Sequence, residues 1–301
     1  NIIYLHTVFL FFFFPQAAKA YGADLRHSIA YVKCYLQDLV VPMMCLVDYR
    51  GFRVQCTAVV PLEIRRVDEM GEVRSTSEKL VMGSNDRGQH MYNEDVDFKE
   101  KMTVACGRLN LCEHAVKGSE DLIAKSISVG TDVRGYLGAD GRHYLMSFRR
   151  AFPPEHPSCT PHLRPEPRDM SIFWRFLRPQ FVKRNPSPLS PDALSLYTQD
   201  MADSDQHDRN VEAATRRLIT ELIPEYAEEI SRRTVEHVAK MDIHFEMHRL
   251  GMILICFFPF RSSKKKLFYR CRYQYCFSVP ESDLISSNIV LSFLFFFSLQ
   301  A

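Results

Sequence analysis

The stretch Val133-Arg134-Gly135-Tyr136-Leu137-Gly138-Ala139-Asp140-Gly141-Arg142-His143-Tyr144-Leu145-Met146-Ser147-Phe148 decides the fold class, because it reads as two strands meeting at one tight turn. Its second flank alternates, with Tyr144, Met146 and Phe148 on one face and Leu145, Ser147 and Arg149 on the other. That is the period of a half-buried strand. Asp140-Gly141 suits the bend, because glycine takes a positive φ without a Cβ clash. Phe152-Pro153-Pro154 then stops the second strand, since proline has no N–H to give to a ladder.

Working outward from this hairpin, Met43 to Asp48 and Phe52 to Val60 flank Tyr49-Arg50-Gly51 and predict a second strand pair. Between the two hairpins, Val96, Met102, Cys106 and Leu109 have helical spacing over Glu94 to Leu111, and Glu94 and Asp95 suit the positive end of its dipole. Leu122 to Val129 returns to a strand-like pattern. Pro153 to Pro167 holds six prolines and reads as a loop or extended arm. The aromatic-rich segment Ser171 to Lys183, with Trp174 in it, predicts a helix, and Ser190-Pro191-Asp192 predicts the start of another. Val211, Ala214, Leu218, Leu222, Tyr226, Ile230, Val235, Val238, Met241 and Phe245 predict one long amphipathic helix bent at Pro224. The expected class is α+β: β-hairpins in the N-terminal half packed with helices, followed by a long C-terminal amphipathic helix.

Composition narrows the function classes. In 301 residues, 46% are apolar and 25% charged with a net charge of +2. That excludes a disordered acidic tail and a uniformly basic nucleic-acid sleeve. Nine cysteines without a CxxC pair signal neither a disulfide scaffold nor a four-ligand zinc site, and suit a reducing compartment. Of the 22 Phe, 14 lie in residues 1–20 and 251–301 together, so the ends differ in kind from the middle.

Three regions are therefore expected. Residues 1–20 form an apolar segment that reads as translated flanking sequence or as signal-like, with Ala18-Lys19-Ala20 as a cleavage site, although no Met, Lys or Arg precedes its Phe run. Residues 21–250 form the domain to interpret. Residues 251–301 form a Phe-rich and basic tail, read as disordered or non-native. Its apolar runs fall short of the roughly 20 residues a bilayer demands, so stable membrane insertion is not expected.

Catalytic motifs are missing: no GxGxxG, Walker loop, G-x-S-x-G or HExxH occurs. His244 and His248 lie four apart, but HFEMH puts its glutamate one place off from a metalloprotease helix, so they read as a solvated pair. Cys106, Cys112 and His114 read as a buried structural group. No enzyme activity, metal or cofactor is expected. Charge is informative locally. From Arg142 to Arg184 there are nine Arg or Lys against three acids, and eight of the nine are Arg. Tyr144, Phe148, Phe152, Phe173, Trp174 and Phe176 are interleaved with them. Planar guanidinium groups beside aromatic faces suit single-stranded RNA. The plainer alternative is that the aromatics are core and the Arg side chains pair with acids. The candidate phosphate contacts are Arg142, Arg149, Arg150, Arg175 and Arg178.

The blocks Gly138-x-Asp140-Gly141-Arg142-x-Tyr144 and Arg150-Ala151-Phe152-Pro153-Pro154-Glu155 resemble the Clu domain of the clustered mitochondria protein family. Val47-Asp48-Tyr49-Arg50-Gly51-Phe52-Arg53 is similar to an earlier strand-turn-strand block of that family. Leu177-Arg178-Pro179-Gln180-Phe181-Val182 and Asn185-Pro186-x-Pro188-Leu189-Ser190 are similar to later ones. The resemblance runs from about Tyr21 to Ile230 and makes Gly138, Asp140, Gly141, Tyr144, Phe152, Pro153, Pro154 and Pro179 its structural motif. Two positions depart from the family pattern, Ser147 and Gln180, where it has an acid. The resemblance implies a cytoplasmic, non-enzymatic protein that binds messenger RNAs for mitochondrial proteins, associates with ribosomes and acts in mitochondrial distribution and biogenesis. Contact with the mitochondrial surface would then be indirect. Full members carry a ubiquitin-like N-terminal region and tetratricopeptide repeats. With no 34-residue repeat, this chain is expected to be a fragment. A protein-binding scaffold without RNA, and a degenerate phosphotransferase-like domain, are the rival expectations.

Overall fold

A computed structural model describes residues 15–49, 52–62, 64–67, 73–76, 79–159, 175–233, 240–251, 258–262, 266–270 and 276–280. Its helices are α1 (Pro15–Val32), α2 (Val96–Leu109), α3 (Pro179–Val182), α4 (Ser204–Arg217), α5 (Ile223–Ser231) and α6 (Ile243–Arg249). Its strands are β1 (Leu39–Val40), β2 (Met44–Tyr49), β3 (Phe52–Thr57), β4 (Ile64–Val67), β5 (Val73–Thr76), β6 (Lys79–Gly83), β7 (Tyr92–Asn93), β8 (His114–Val116), β9 (Lys125–Ile127), β10 (Arg134–Leu137), β11 (His143–Met146), β12 (Phe258–Ser262), β13 (Lys266–Arg270) and β14 (Cys276–Pro280). The chain is mixed α+β and divides after Glu212 into two compact units.

In the first unit, the five-stranded sheet has the order β1-β11-β10-β6-β7. β10 and β11 pair antiparallel with Tyr136 opposite Tyr144, and β1 runs parallel to β11. The earlier hairpin forms as expected, β2 against β3, with Val47 opposite Val54. Helix α2 starts where the Asp95 carboxylate accepts from the Phe98 N–H at 2.8 Å, satisfying one of the free donors of the first turn. Its inward positions Phe98, Met102, Ala105, Cys106 and Leu109 are all buried. Each large apolar side chain so placed stabilises by about 1.5–3 kcal/mol. Phe98 lies over Gly135, where an added Cβ would come within 2.3 Å of the ring. The sheet register shifts beside that glycine, between Gly135 and Tyr136. Only a residue without a side chain lets the helix approach the strand so closely.

Several sequence expectations are corrected. The second strand of the hairpin ends at Met146, because Ser147 takes φ 64° and turns Phe148–Arg150 into a 3-10 turn. Phe152-Pro153-Pro154 therefore does not terminate that strand. Pro154 instead bridges Phe176, with Leu177 N–H donating to the Pro153 carbonyl at 2.9 Å. Of the helix expected over Ser171 to Lys183, the described residues 175–183 are helical only at Pro179–Val182. Pro179 holds Arg178 at ψ 144°, out of the helical region, so no helix can run through it. Residues 171–174 lie outside the described residues. Ser190-Pro191-Asp192 opens no regular helix: a turn and the 3-10 segment Leu196–Thr198 follow, since the Asp192 carboxylate is taken by partners across the fold.

Helix α1 begins at Pro15 and so crosses the division expected near residue 20. His27 and Tyr31 lie on its inner side, fully or almost fully buried.

The second unit begins within α4. A π-turn, Leu218–Leu222, joins α4 to α5, so the backbone stays helical from Ser204 to Ser231. Pro224 has no N–H for the usual bond, and the Ile223 N–H reaches the Leu218 carbonyl instead, the wider π spacing. The single long helix expected out to Phe245 is not what forms. Helix α5 ends at Ser231, and α6 starts afresh where Asp242 caps the Phe245 N–H at 2.9 Å. Val235 and Val238 lie outside the described residues. Strands β12, β13 and β14 pair as an antiparallel meander.

Candidate nucleic-acid interface

The bend that presents the first candidate cation is built by its own side chains. Gly141 takes φ 77°, and the Gly138 N–H donates to the Arg142 carbonyl at 2.9 Å. The Asp140 carboxylate accepts from the Tyr144 hydroxyl at 2.7 Å and from the Arg142 N–H at 3.2 Å. The hydroxyl bond chiefly holds the Asp140 carboxyl below its ordinary pKa. Tyr144 is buried, and its ring covers Gly138, where a Cβ would lie 2.5 Å from a ring carbon. Arg142 is exposed at the tip.

The other candidates split. Arg149 is exposed on the 3-10 corner; burial raises the carboxyl of Asp24, and the Arg149 charge opposes that only in part. Arg150 pairs with Asp132 at 2.9 Å. Arg175 pairs with Glu155, whose side chain is 1% exposed. For these two, the plainer reading of acid-paired arginine holds. Arg178 is only 6% exposed, and its Nε has no hydrogen-bond partner. Burial, with the Arg26 charge added, lowers its pKa to about 9. Phe152, Pro153, Pro154 and Pro179 are all buried. Among the aromatics, Phe148, Phe152 and Phe176 are core rather than stacking surface, and Phe173 and Trp174 lie outside the described residues.

His114 and Cys112, read from the sequence as structural, each meet distant partners that the sequence did not indicate. His114 Nε2 meets the Asp192 carboxylate at 2.8 Å, and the same carboxylate accepts from the Thr131 N–H at 2.9 Å and the Thr131 hydroxyl at 2.8 Å. Beside it, Cys112 Sγ lies 3.6 Å from His207 Nδ1, whose Nε2 contacts Asp203 at 3.0 Å. Burial pushes the Cys112 thiol up to about 11, against thiolate formation. Cys106 is fully enclosed and its thiol is raised further by burial. No group of three or more metal-ligating side chains with suitable geometry occurs among the described residues. No described helix is long and apolar enough to cross a membrane.

Arg26 also escaped notice, although Ala23, Arg26, His27 and Ala30 follow the helical spacing that would have placed it on one inward face.

The family model described as Clustered mitochondria matches residues 15–157. That range takes in the Val47 block, the Asp140 hairpin and the diproline, and stops short of the Leu177 and Asn185 blocks. The chain is 32% identical over 151 residues to a clustered mitochondria protein of Arabidopsis thaliana, covering 48% of this chain and 10% of the relative. It is 25% identical over 209 residues to a homologue from Brugia malayi, covering 62% of this chain and 14% of the relative. To the protein clueless of Drosophila mojavensis it is 29% identical over 132 residues, covering 44% of this chain and 8% of the relative. The aligned part of the chain thus spans about a tenth of the length of these relatives. No solved structure matches. Over residues 15–157, just under half of the chain, the sequence is similar to the clustered mitochondria family.

Proposed function

We propose that this domain acts in mitochondrial distribution and biogenesis as a non-enzymatic, cytoplasmic binder of messenger RNA for mitochondrial proteins. The relatives it matches bear the clustered mitochondria name, which supports the first half of that reading. The observation that carries the second is the exposure of Arg142 and Arg149, one on the hairpin tip and the other on the adjoining 3-10 corner. Two exposed guanidinium groups on one short connected segment can each reach a phosphate. Ribosome-associated proteins are the expected partners, and contact with the mitochondrial surface is expected to be indirect. The protein-scaffold alternative needs an open apolar face; of the residues expected on it, Val211, Ala214, Leu218 and Tyr226 are buried and Phe245 is exposed.

The test is a salt titration of single-stranded RNA binding with the full chain. Each phosphate held gives a slope of about 0.7 log units of affinity per log unit of salt. Arg142→Glu and Arg149→Glu should each flatten the slope by roughly that amount. A slope unmoved by the double reversal, with RNA still bound, would overturn the assignment.

A further inference from the structure

The turn of α1 from Ala23 to His27 packs against the segment that carries Arg178. Ala23 shares a buried cluster with Phe176 and Leu194, and the His27 ring meets the Phe176 ring edge-on at 5.6 Å. Arg26 lies one helical turn from Ala23 and is half-buried on that side, and Arg178 follows Phe176 by two residues. Neither guanidinium makes an ion pair or a side-chain hydrogen bond among the described residues. Orphaned atoms gather here: Arg178 Nε, the Gln180 side-chain carbonyl and His27 Nε2 are buried and without hydrogen-bond partners. The other His27 ring nitrogen, Nδ1, lies 2.9 Å from the Phe148 carbonyl.

A buried arginine left this way is costly. Desolvation is recovered only when the charge finds a partner with good geometry. A second guanidinium beside it adds repulsion, and both groups have lowered pKa values, through burial first and, for Arg178, through Arg26 second. An oxyanion between the two groups removes both penalties at once. The planar forks of two arginines offer up to ten N–H donors in principle, which suits the three terminal oxygens of a phosphate.

We propose that Arg26 and Arg178 form a binding site for a phosphomonoester, held between one half-exposed guanidinium and one that is almost wholly enclosed. The enclosure selects the form of the phosphate. An internal phosphodiester continues as chain on both sides and carries one charge, so it cannot seat against an arginine that is 6% exposed. A terminal phosphate enters end-on through the Arg26 side and brings a charge of about −1.5 to −2 at pH 7. The site uses neither Arg142 nor Arg149 and stands or falls independently of RNA binding.

Calorimetric titration of the full chain tests it, with inorganic phosphate, adenosine monophosphate and a short RNA lacking terminal phosphate, each against chloride at matched ionic strength. Inorganic phosphate and the monophosphate should both bind, and the RNA should not compete with them. If the monophosphate binds and inorganic phosphate does not, the base rather than the phosphate is being read and the assignment fails. Arg178→Met keeps the volume and removes the charge, and it should weaken phosphate at least about tenfold, as should Arg26→Gln. Arg142→Glu should leave phosphate affinity unchanged. Absence of phosphate binding by the native chain, or affinities equal to native in both Arg26 and Arg178 variants, would overturn the proposal. Displacement of phosphate by the unphosphorylated RNA would overturn the end-on selection. Should a variant not fold, the native titration still decides.

Discussion

At the His114 corner and at the Arg178 corner, the same domain buries polar side chains to a similar depth with opposite outcomes. The Asp192 carboxylate is 1% exposed and receives His114, the Thr131 hydroxyl and the Thr131 N–H, each within 2.9 Å. His114 is equally enclosed, and its second ring nitrogen lies 3.1 Å from the Cys112 carbonyl. At the other corner, Arg178 Nε and His27 Nε2 are buried without hydrogen-bond partners. The difference teaches how to separate a structural polar cluster from a binding one. Complete mutual satisfaction stabilises a unique packing, whereas cations that make no ion pair leave room for a ligand to supply the anion.

The largest expected effect breaks the satisfied corner. Asp192→Ala removes one partner of a buried pair and leaves His114 and Thr131 unmatched, at a cost of about 3–5 kcal/mol in chemical denaturation. A loss below about 1 kcal/mol, the scale of an exposed pair, would mean this corner is not the anchor described.

Next in size is a packing test of the same half of the domain. Gly135→Ala drives a Cβ to 2.3 Å from the Phe98 ring, and overpacking of this kind costs about 1–3 kcal/mol. Pairing it with Phe98→Leu should recover part of the loss, a coupling that a double-mutant cycle reads directly.

The unsatisfied corner makes the chain acid-sensitive. Burial, aided by the charges of Arg26 and Arg178 and opposed by hydrogen bonding to Phe148, lowers the His27 pKa from 6.5 to about 3. The unfolded chain therefore takes up this proton first. Stability is full above about pH 6.5 and falls as the pH drops toward about 3, with a slope approaching 1.4 kcal/mol per pH unit. Denaturation midpoints of His27→Gln should lose that part of the pH dependence. An unchanged slope would show that other groups carry it.

The smallest expected effect is also the sharpest contrast. In phosphate-free buffer, Arg178→Met should leave stability unchanged or slightly raised, because it deletes a buried charge that nothing in the described structure offsets. A loss as large as that of Asp192→Ala would erase the distinction between the two corners.

Much of the sheet was legible in the sequence. Asp140-Gly141 between apolar flanks specified a hairpin locally, and the β2–β3 pair and α2 were visible from the same periodicities. The helix expected over Ser171 to Lys183 failed because aromatic content outweighed Pro179 in the reading, although proline restricts its predecessor directly. The 3-10 turn at Phe148–Arg150 depends on Ser147 in a left-handed conformation, which residue type alone does not announce. Of the candidate cations, the run of arginines was visible, but their division into exposed, acid-paired and enclosed groups was not. Asp132 stands 18 positions before Arg150 and Glu155 stands 20 before Arg175, so nothing local indicates that they pair.

By itself, the sequence determined the α+β class, the Asp-Gly hairpin and the family blocks, because turn chemistry and side-chain period act over a few residues. Tertiary structure alone decided which polar groups are matched. Asp192 meets His114 across 78 positions, and Arg26 joins Arg178 through the docking of α1 onto the segment after Phe176. Desolvation and charge pairing depend on distance in space, and chain separation carries no record of it.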